Sequence, residues 1–194
     1  MTVEEIAKIL CEHFKGLQIE VVPGAKNAVS GIQTGDPAVI IPAEKIREIC
    51  NTLKVMDQFA FDCLSSLTAV DRKDRFEVVY HLFSYKNRHS LTLKVNLPRG
   101  GNQPQRGVEG EAPSGLAGGG GDASPSIETV ESLWGVANWL EREVYDLFGI
   151  KFDNHSDLRR IMLPDDWVGH PLRKDYKEEV DYHGISTTRP ALLQ

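Results

Sequence analysis

The sequence predicts an α+β domain in which helices pack on a mostly antiparallel sheet. Two observations carry this prediction. Apolar residues recur at three- and four-residue steps near both ends of the chain, whereas in the middle they alternate with polar residues. Helices that precede and follow a group of neighbouring strands are typical of the α+β class. The segment after Gly149 follows neither period, and we expect it to form an extended C-terminal tail.

The first predicted helix begins after Thr2, because Thr2 and Glu5 have the spacing of a capping box. Short β-type runs follow at residues 19–22 and 38–41. Pro42 then opens a second helix, since proline is well tolerated in a first helical turn. The buried side of this second helix should consist of Ile46, Ile49, Cys50 and Leu53.

Two neighbouring segments in the middle of the chain have the two-residue period of half-buried strands. The apolar positions are Phe76, Val78, Tyr80 and Leu82 in the first and Leu91, Leu93, Val95 and Leu97 in the second. The connection at residues 85–88 is short enough to join them as an antiparallel hairpin. A strand-like run that begins at Phe61 precedes the hairpin.

The strongest helical pattern in the chain spans residues 131–149. Its apolar stripe consists of Val130, Leu133, Trp134, Ala137, Leu140, Val144, Leu147 and Phe148. Gly149 stands where a left-handed C-cap would end the helix. Arg142 and Asp146 are four residues apart and can pair on the helix surface. Taken alone, Glu141, Arg142 and Glu143 are interpreted as a solvated face of the helix.

Residues 99–126 differ in composition from the segments on either side. They hold more than half of the chain's glycines and three prolines, and almost nothing that could enter a core. Their glycines are not followed by the Lys-Ser/Thr pair that a phosphate-binding loop requires. We therefore expect a flexible insertion within one domain, which spans residues 1–150 and folds without the C-terminal segment 151–194.

Composition excludes several classes of protein. A net charge of -6 argues against a nucleic-acid partner. No apolar run approaches the roughly 20 residues that a membrane-spanning helix needs, so we expect any membrane contact to be indirect. Cys11, Cys50 and Cys63 are isolated, which fits a reducing compartment and provides no spacing for a zinc site or an iron–sulfur cluster.

The tail is rich in side chains that are common at protein interfaces. Arginine and lysine can pair with carboxylates of a partner, and large aromatic residues often anchor interfaces. The residues of this kind are Arg159, Arg160, Trp167, Arg173, Lys174 and Tyr176. From residue types alone, the tail could equally well wrap around its own domain.

Several short motifs in the C-terminal third resemble one family. They are Glu141-Arg142-Glu143, Asp146-Leu147-Phe148-Gly149-Ile150, His155, Leu158-Arg159-Arg160-Ile161 and Pro171-Leu172-Arg173-Lys174-Asp175-Tyr176. In combination they resemble the C subunit of the proton-translocating NADH–quinone oxidoreductase, respiratory complex I. The chain departs from that family in two places: Ser156 stands where a proline is usual, and the insertion is longer than expected. Both departures concern loops and leave the motifs intact.

The resemblance implies a non-redox structural subunit of the peripheral arm. It implies no catalytic, cofactor-binding or metal-binding residue in this chain, with FMN, iron–sulfur clusters and quinone held by partner subunits. The C-terminal segment would reach across the D subunit, which forms the quinone-reducing end of the arm together with the B subunit. The motif residues and Trp167 would contribute to that interface. The protein would be peripheral, on the cytoplasmic side of the inner membrane.

Two other functions remain open. Related membrane-bound hydrogenases, and other quinone or ferredoxin oxidoreductases, use a homologous small subunit, and the neighbouring genes would distinguish these complexes. A more remote alternative is a metal-dependent hydrolase that uses His155, Asp157, His170 and Asp175. Their spacings match no usual helix-borne metal motif, and each carboxylate has a basic neighbour that could pair with it.

Overall fold

The computed structural model describes residues 1–24, 35–72, 74–99, 124–178 and 180–186. In these ranges the helices are α1 (Val3–His13), α2 (Ile46–Val55) and α3 (Ala137–Phe148). The strands are β1 (Glu20–Val22), β2 (Ala38–Ile41), β3 (Cys63–Asp71), β4 (Arg75–Ser84), β5 (His89–Pro98), β6 (Ser126–Glu128), β7 (Lys151–Asp153), β8 (Asp181–Tyr182) and β9 (Ile185–Ser186).

Five strands form one sheet in the order β1-β2-β5-β4-β3. Neighbouring strands are antiparallel except for β2 and β5, which run parallel. The predicted hairpin is confirmed, since β4 and β5 pair continuously from Arg75 opposite Pro98 to Ser84 opposite His89. The α+β class with a mostly antiparallel sheet is therefore correct.

The first two helices form as their sequences predict. The Thr2 hydroxyl accepts the N–H of Glu5, and the Glu5 carboxylate accepts the N–H of Thr2, so both halves of the capping box are present. A 3-10 turn at Ala43–Lys45 leads into α2. The side of α2 that was predicted to be buried is fully buried and joins one continuous core with the sheet.

Helix α3 begins later than the sequence predicts. Residues 131–134 form a turn in which the N–H groups of Leu133 and Trp134 both donate to the carbonyl of Val130. The Leu133 carbonyl, which a helix starting at residue 131 would use internally, instead accepts the ammonium of Lys54. At the other end, Gly149 adopts φ 71° and forms the predicted left-handed C-cap.

The segment after Gly149 starts with a strand that the sequence did not predict. In the parallel pair of β6 and β7, Ile127 lies opposite Phe152, and both side chains belong to the core. The first residues of the predicted tail are therefore part of the domain. A second short hairpin, β8 and β9, turns at His183 and Gly184, both of which have positive φ.

The predicted insertion falls largely outside the described residues, because 100–123 are not among them. Its two ends are described. Arg99 donates to the carboxylate of Asp71 at 3.0 Å and 3.1 Å, and Ser126 begins β6. Both end residues are thus held by the domain.

Candidate functional site

The C-terminal residues 155–176, called the strap below, lie along α3 in the same direction as the helix. Near the start of α3, the His155 ring contacts the carbonyl of Asn138. At its end, the N–H of Leu172 donates to the carbonyl of Leu147 at 3.1 Å. The strap thus wraps around its own domain, which is the arrangement that residue types alone left open.

Asp146 is the main anchor of the strap. Its side chain is fully buried, and one carboxylate oxygen accepts Arg160 at 2.9 Å. The other oxygen accepts three successive backbone N–H groups of the strap, those of Ile161, Met162 and Leu163, at 2.7–3.0 Å. Burial disfavours the ionised carboxyl, but the three N–H groups and Arg160 outweigh it, so the pKa of Asp146 is lowered.

The expected pair between Arg142 and Asp146 does not form. The Arg142 guanidinium is almost fully buried and turns toward the strap, where its Nε donates to the carbonyl of Arg159 at 3.3 Å. It also lies 3.8 Å from the carboxylate of Asp157 and 5.3 Å from the centre of the Trp139 ring. Asp146 faces the next part of the strap, so the two helix residues bind different strap segments.

The interpretation of the Glu-Arg-Glu run as a solvated face is wrong for Arg142, described above, and for Glu141. Its side chain is completely buried beneath α3. The carboxylate accepts the hydroxyl of Thr129 and, at 2.8 Å, the N–H of Val130. Burial nevertheless raises the pKa of Glu141 to about 7, because the two hydrogen bonds only partly offset the loss of water. Glu143, two residues further on, remains partly exposed.

His155 joins the start of the strap to α3. Its Nδ1 accepts the N–H of Asp157 at 3.0 Å, so Nε2 carries the proton and donates to the carbonyl of Asn138 at 3.0 Å. Beside it, the N–H and hydroxyl of Ser156 bind the carboxylate of Glu131 at 2.9 Å and 3.1 Å. A proline at position 156 could make neither of these two bonds.

The end of the strap is packed against the C-cap of α3. His170 Nδ1 donates to the carbonyl of Asp146 at 2.8 Å, and the ring lies directly over Gly149. The Arg173 guanidinium donates to the carbonyl of Phe148 and lies 5.1 Å from the centre of the Phe76 ring. A side chain at position 149 would meet the imidazole, which gives Gly149 a packing role besides its cap geometry.

Beyond Arg173 the strap contacts the end of β3. The N–H of Lys174 donates to Asp71 at 2.8 Å, and Asp175 pairs with Arg99 at 3.0 Å. The Lys174 side chain remains exposed. Asp71 and Arg99 were not singled out in the sequence, because neither lies in a motif and their partners are distant along the chain.

The remaining predicted site residues lie on the outer side of the strap or beyond its anchors. Arg159 is 71% exposed and pairs with Asp157 at 2.9 Å. The half-buried Trp167 packs against the Tyr182 ring at 5.1 Å. Tyr176 is also half-buried, and its N–H donates to the carbonyl of Arg173 at 3.2 Å. Of these three side chains, only Arg159 is exposed.

The residues of the hydrolase alternative do not converge. His155 lies near the start of α3, whereas His170 lies at its end. Asp157 pairs with Arg159, and Asp175 with Arg99. Within the described ranges, no group of three or more histidine, cysteine or acidic side chains is placed to hold a metal ion.

Within the same ranges, no helix is both long enough and apolar enough to cross a membrane.

Comparison with known proteins gives the family. Residues 39–108 and 119–182 match the family described as respiratory-chain NADH dehydrogenase, 30 Kd subunit. The chain is 43% identical to the C subunit of NADH-quinone oxidoreductase from Geobacter sulfurreducens over 146 residues, which cover 73% of this chain and 75% of that protein. It is 37% identical to the same subunit from Moorella thermoacetica over 147 residues, which cover 75% of this chain and 82% of that protein.

Solved structures show the same fold. A trypsin-resistant fragment (1–134) of Nqo5 is 30% identical, with a TM-score of 0.51 over 78% of this chain and 97% of that one. A chain of an archaeal membrane-bound sulfane sulfur reductase superposes with a TM-score of 0.60 over 90% of this chain and 85% of that one. The two are 24% identical, which supports the fold alone. The chain therefore belongs to the family of the 30 Kd subunit of respiratory-chain NADH dehydrogenase, which includes the C subunit of NADH-quinone oxidoreductase.

Proposed function

We propose that this chain is a non-redox structural subunit of the peripheral arm of proton-translocating NADH–quinone oxidoreductase. It supports electron transfer from NADH to quinone by holding the quinone-reducing D and B subunits in position. It carries no catalytic residue and no cofactor, and FMN, iron–sulfur clusters and quinone bind to its partners. It is peripheral, on the cytoplasmic side of the inner membrane.

The observation that carries this proposal is that four charged motif residues, Glu141, Arg142, Asp146 and Arg173, are buried in contacts within the chain. Asp146 accepts four strap donors, and Glu141 accepts two donors from the segment before α3. Arg142 and Arg173 are buried and donate to backbone carbonyls. A group that transfers protons or electrons to a substrate has to reach it, whereas these groups join α3 to the strap or, for Glu141, to the segment before the helix.

The outer face of the strap is the proposed contact with the D subunit. It presents Arg159 and the exposed apolar side chains of Met162 and Leu172, beside Trp139 of α3. Arginine, methionine and tryptophan are enriched in interfaces. Because the inner face is bound to α3, the strap would present this surface already ordered, which reduces the conformational entropy lost on association.

Arg142→Ala tests the structural role. The substitution removes the hydrogen bond to Arg159 and the ion pair with Asp157, so the amount of assembled complex should fall. Each complex that does assemble should reduce quinone at close to the normal rate. Arg142→Lys should also assemble poorly, because an ammonium lacks the planar guanidinium. Arg47→Ala, which removes an exposed pair with Glu128, is the matched control.

The measurement is the rate of NADH-dependent quinone reduction per assembled complex. Normal assembly combined with a large loss of turnover in the Arg142 variants would place this subunit in the chemistry and refute the structural assignment. The hydrogenase alternative is tested separately through the neighbouring genes. A gene for an NADH-oxidising flavin subunit supports complex I, whereas nickel-ligating cysteines in the large subunit would support a hydrogenase.

A further inference from the structure

Glu141 is a buried carboxyl that faces weak acids on the core side. Cys50 of α2 and Tyr80 of β4 are both fully buried, and the pKa of each is raised by burial and by the negative charge of Glu141. In the part of the chain that the structure describes, the Tyr80 hydroxyl has no hydrogen-bond partner. The core side thus offers Glu141 no positive charge, and an ionised carboxylate there is poorly solvated.

On the strap side, Glu141 faces His155. The His155 ring is fully buried, and its Nε2 lies 3.9 Å from Glu141 Oε2 and 3.6 Å from Glu131 Oε2. One imidazole N–H therefore has three acceptors around it: two carboxylates and the Asn138 carbonyl to which it donates at 3.0 Å. Which of the three it binds depends on the charges of the two carboxylates.

The state of Glu141 decides between these acceptors. A neutral Glu141 is a weak acceptor, so the His155 N–H stays on Asn138 while Nδ1 receives the N–H of Asp157. An ionised Glu141 is a much stronger acceptor, because hydrogen bonds to a charged group are about twice as strong. If the imidazole turns toward Glu141, Nε2 leaves the Asn138 carbonyl and Nδ1 leaves the N–H of Asp157. Glu131 lies nearer to the imidazole but already accepts three hydrogen bonds, from Asn138 and Ser156, whereas Glu141 accepts two.

We propose that Glu141 and His155 form a proton-operated switch that controls how the first residues of the strap are held against α3. When Glu141 carries its proton, His155 binds Asn138 and Asp157 and the start of the strap is fixed. When Glu141 loses its proton, the imidazole N–H moves to the carboxylate and residues 155–157 loosen. The Asp146 anchor is separate and keeps the rest of the strap in place. This regulation goes beyond the proposed scaffold role and does not depend on it.

The pH range of the switch follows from burial. Because the pKa of Glu141 is raised from 4.5 to about 7, the carboxyl keeps its proton on the acid side of neutrality and loses it as the pH rises through that value. The stability that depends on protonated Glu141 is therefore fully present below the pKa of this carboxyl in the unfolded chain. It is lost as the pH rises through the pKa of the same carboxyl in the folded chain. The strap start should be most ordered near pH 6 and less ordered near pH 8.

Hydrogen exchange of the full chain, followed by mass spectrometry and corrected for intrinsic rates, tests the switch. Protection of a peptide covering residues 154–159 should fall by at least about fivefold between pH 6 and pH 8, because a pKa shift of one unit already corresponds to tenfold. Peptides from α1 and from residues 170–176 should not change. In Glu141→Gln the fall should disappear, whereas Glu143→Gln, the matched control on the same helix, should behave like the wild type.

Equal protection at both pH values in the wild type, or a fall that persists in Glu141→Gln, would overturn the proposal. Carbon-13 NMR of the wild-type carboxyl groups gives a second test. One glutamate carboxyl signal should titrate near neutral pH, and it should be absent from the spectrum of Glu141→Gln. Titration of all glutamates in the ordinary acid range would also overturn the proposal.

Discussion

Asp146 and Arg160 form an ion pair across 2.9 Å that joins the last turn of α3 to the strap. The same carboxylate also accepts three backbone N–H groups of the strap. Unpaired buried donors cost about 1–3 kcal/mol each. One side chain therefore determines whether four donors of the strap are satisfied.

Asp146→Ala should lower the free energy of unfolding by about 3–5 kcal/mol, because it leaves the partly buried Arg160 without its carboxylate and three N–H groups without their acceptor. Urea denaturation of the full chain at neutral pH measures the loss. Asp165→Ala, an exposed carboxylate on the same strap, should change the stability by less than about 0.5 kcal/mol. Equal effects of the two substitutions would show that Asp146 is not the anchor.

Asp146 should also contribute to acid denaturation. Its pKa is lower in the folded chain than its ordinary value of 3.8, so the folded state binds this proton less tightly than the unfolded state. The associated stability is present above that ordinary value and is lost as the pH falls through the folded pKa. Denaturation curves between about pH 6 and pH 2 should therefore be less pH-dependent in Asp146→Asn. A wild-type slope in this variant would contradict the assignment.

Gly149→Ala should destabilise the chain in two ways. An alanine at φ 71° is strained by about 1–2 kcal/mol, and its Cβ would lie 2.5 Å from the His170 ring. Gly16→Ala separates these effects, because Gly16 has φ 88° but open space around it. Thermal unfolding should give a larger loss at position 149. Gly149→Ala should cost less stability when it is made in a His170→Ala background, because the ring that the new Cβ would meet is gone. If Gly149→Ala costs the same in both backgrounds, the two residues do not clash.

Local features of the fold could be predicted from the sequence. The capping box at Thr2, the buried side of α2 and the hairpin of β4 and β5 depend on neighbouring residues, and each is present. The left-handed cap at Gly149 is local as well. The late start of α3 is not evident from the local pattern, and there the Leu133 carbonyl accepts Lys54, which is 79 residues away.

The site itself was only partly predictable. The motif residues were identified through their family resemblance, but their partners were not. Glu141 and Arg142 have the helical spacing of exposed charged residues, and nothing in that spacing shows that a later segment covers them. The donors to Glu141 come from Thr129 and Val130, next to a strand of three residues that has no clear period. Burial of a charged residue by a distant segment leaves no periodic signal in the sequence.

Replacing residues 100–123 with a short Gly-Ser linker should leave the stability nearly unchanged. Their composition offers little apolar surface to a core, and the free energy of closing a loop varies slowly with its length. Arg99 and residues 124–126 are kept, because Arg99 binds Asp71 and the N–H of Lys151 donates to Pro125. Urea denaturation measures the change. A loss above roughly 2 kcal/mol would show that this segment packs on the domain.

Truncation separates the contribution of the strap from that of the core. The sequence led us to expect residues 1–150 to fold on their own, whereas the structure places Phe152 in the core and the strap anchors on α3 and β3. A chain ending at Tyr176 keeps the anchors on α3 and β3 and loses the contacts of Tyr182 and His183 with Trp167 and Asp166, so it should be nearly as stable as the full chain. A chain ending at Asp153 loses the four donors to Asp146 and one donor to Asp71, the N–H of Lys174.

The chain ending at Asp153 should retain its far-ultraviolet circular dichroism but lose at least about 3 kcal/mol of unfolding free energy, because the buried Asp146 carboxylate loses all four of its donors. Ending the chain at Ile150 should cost about 3–5 kcal/mol more, the usual effect of removing a buried phenylalanine side chain. If the chains ending at Asp153 and Tyr176 are equally stable, the strap adds nothing to the isolated domain. Its anchors would then act only in the assembled complex, and assembly of the shorter chain with its partner subunits would have to fail.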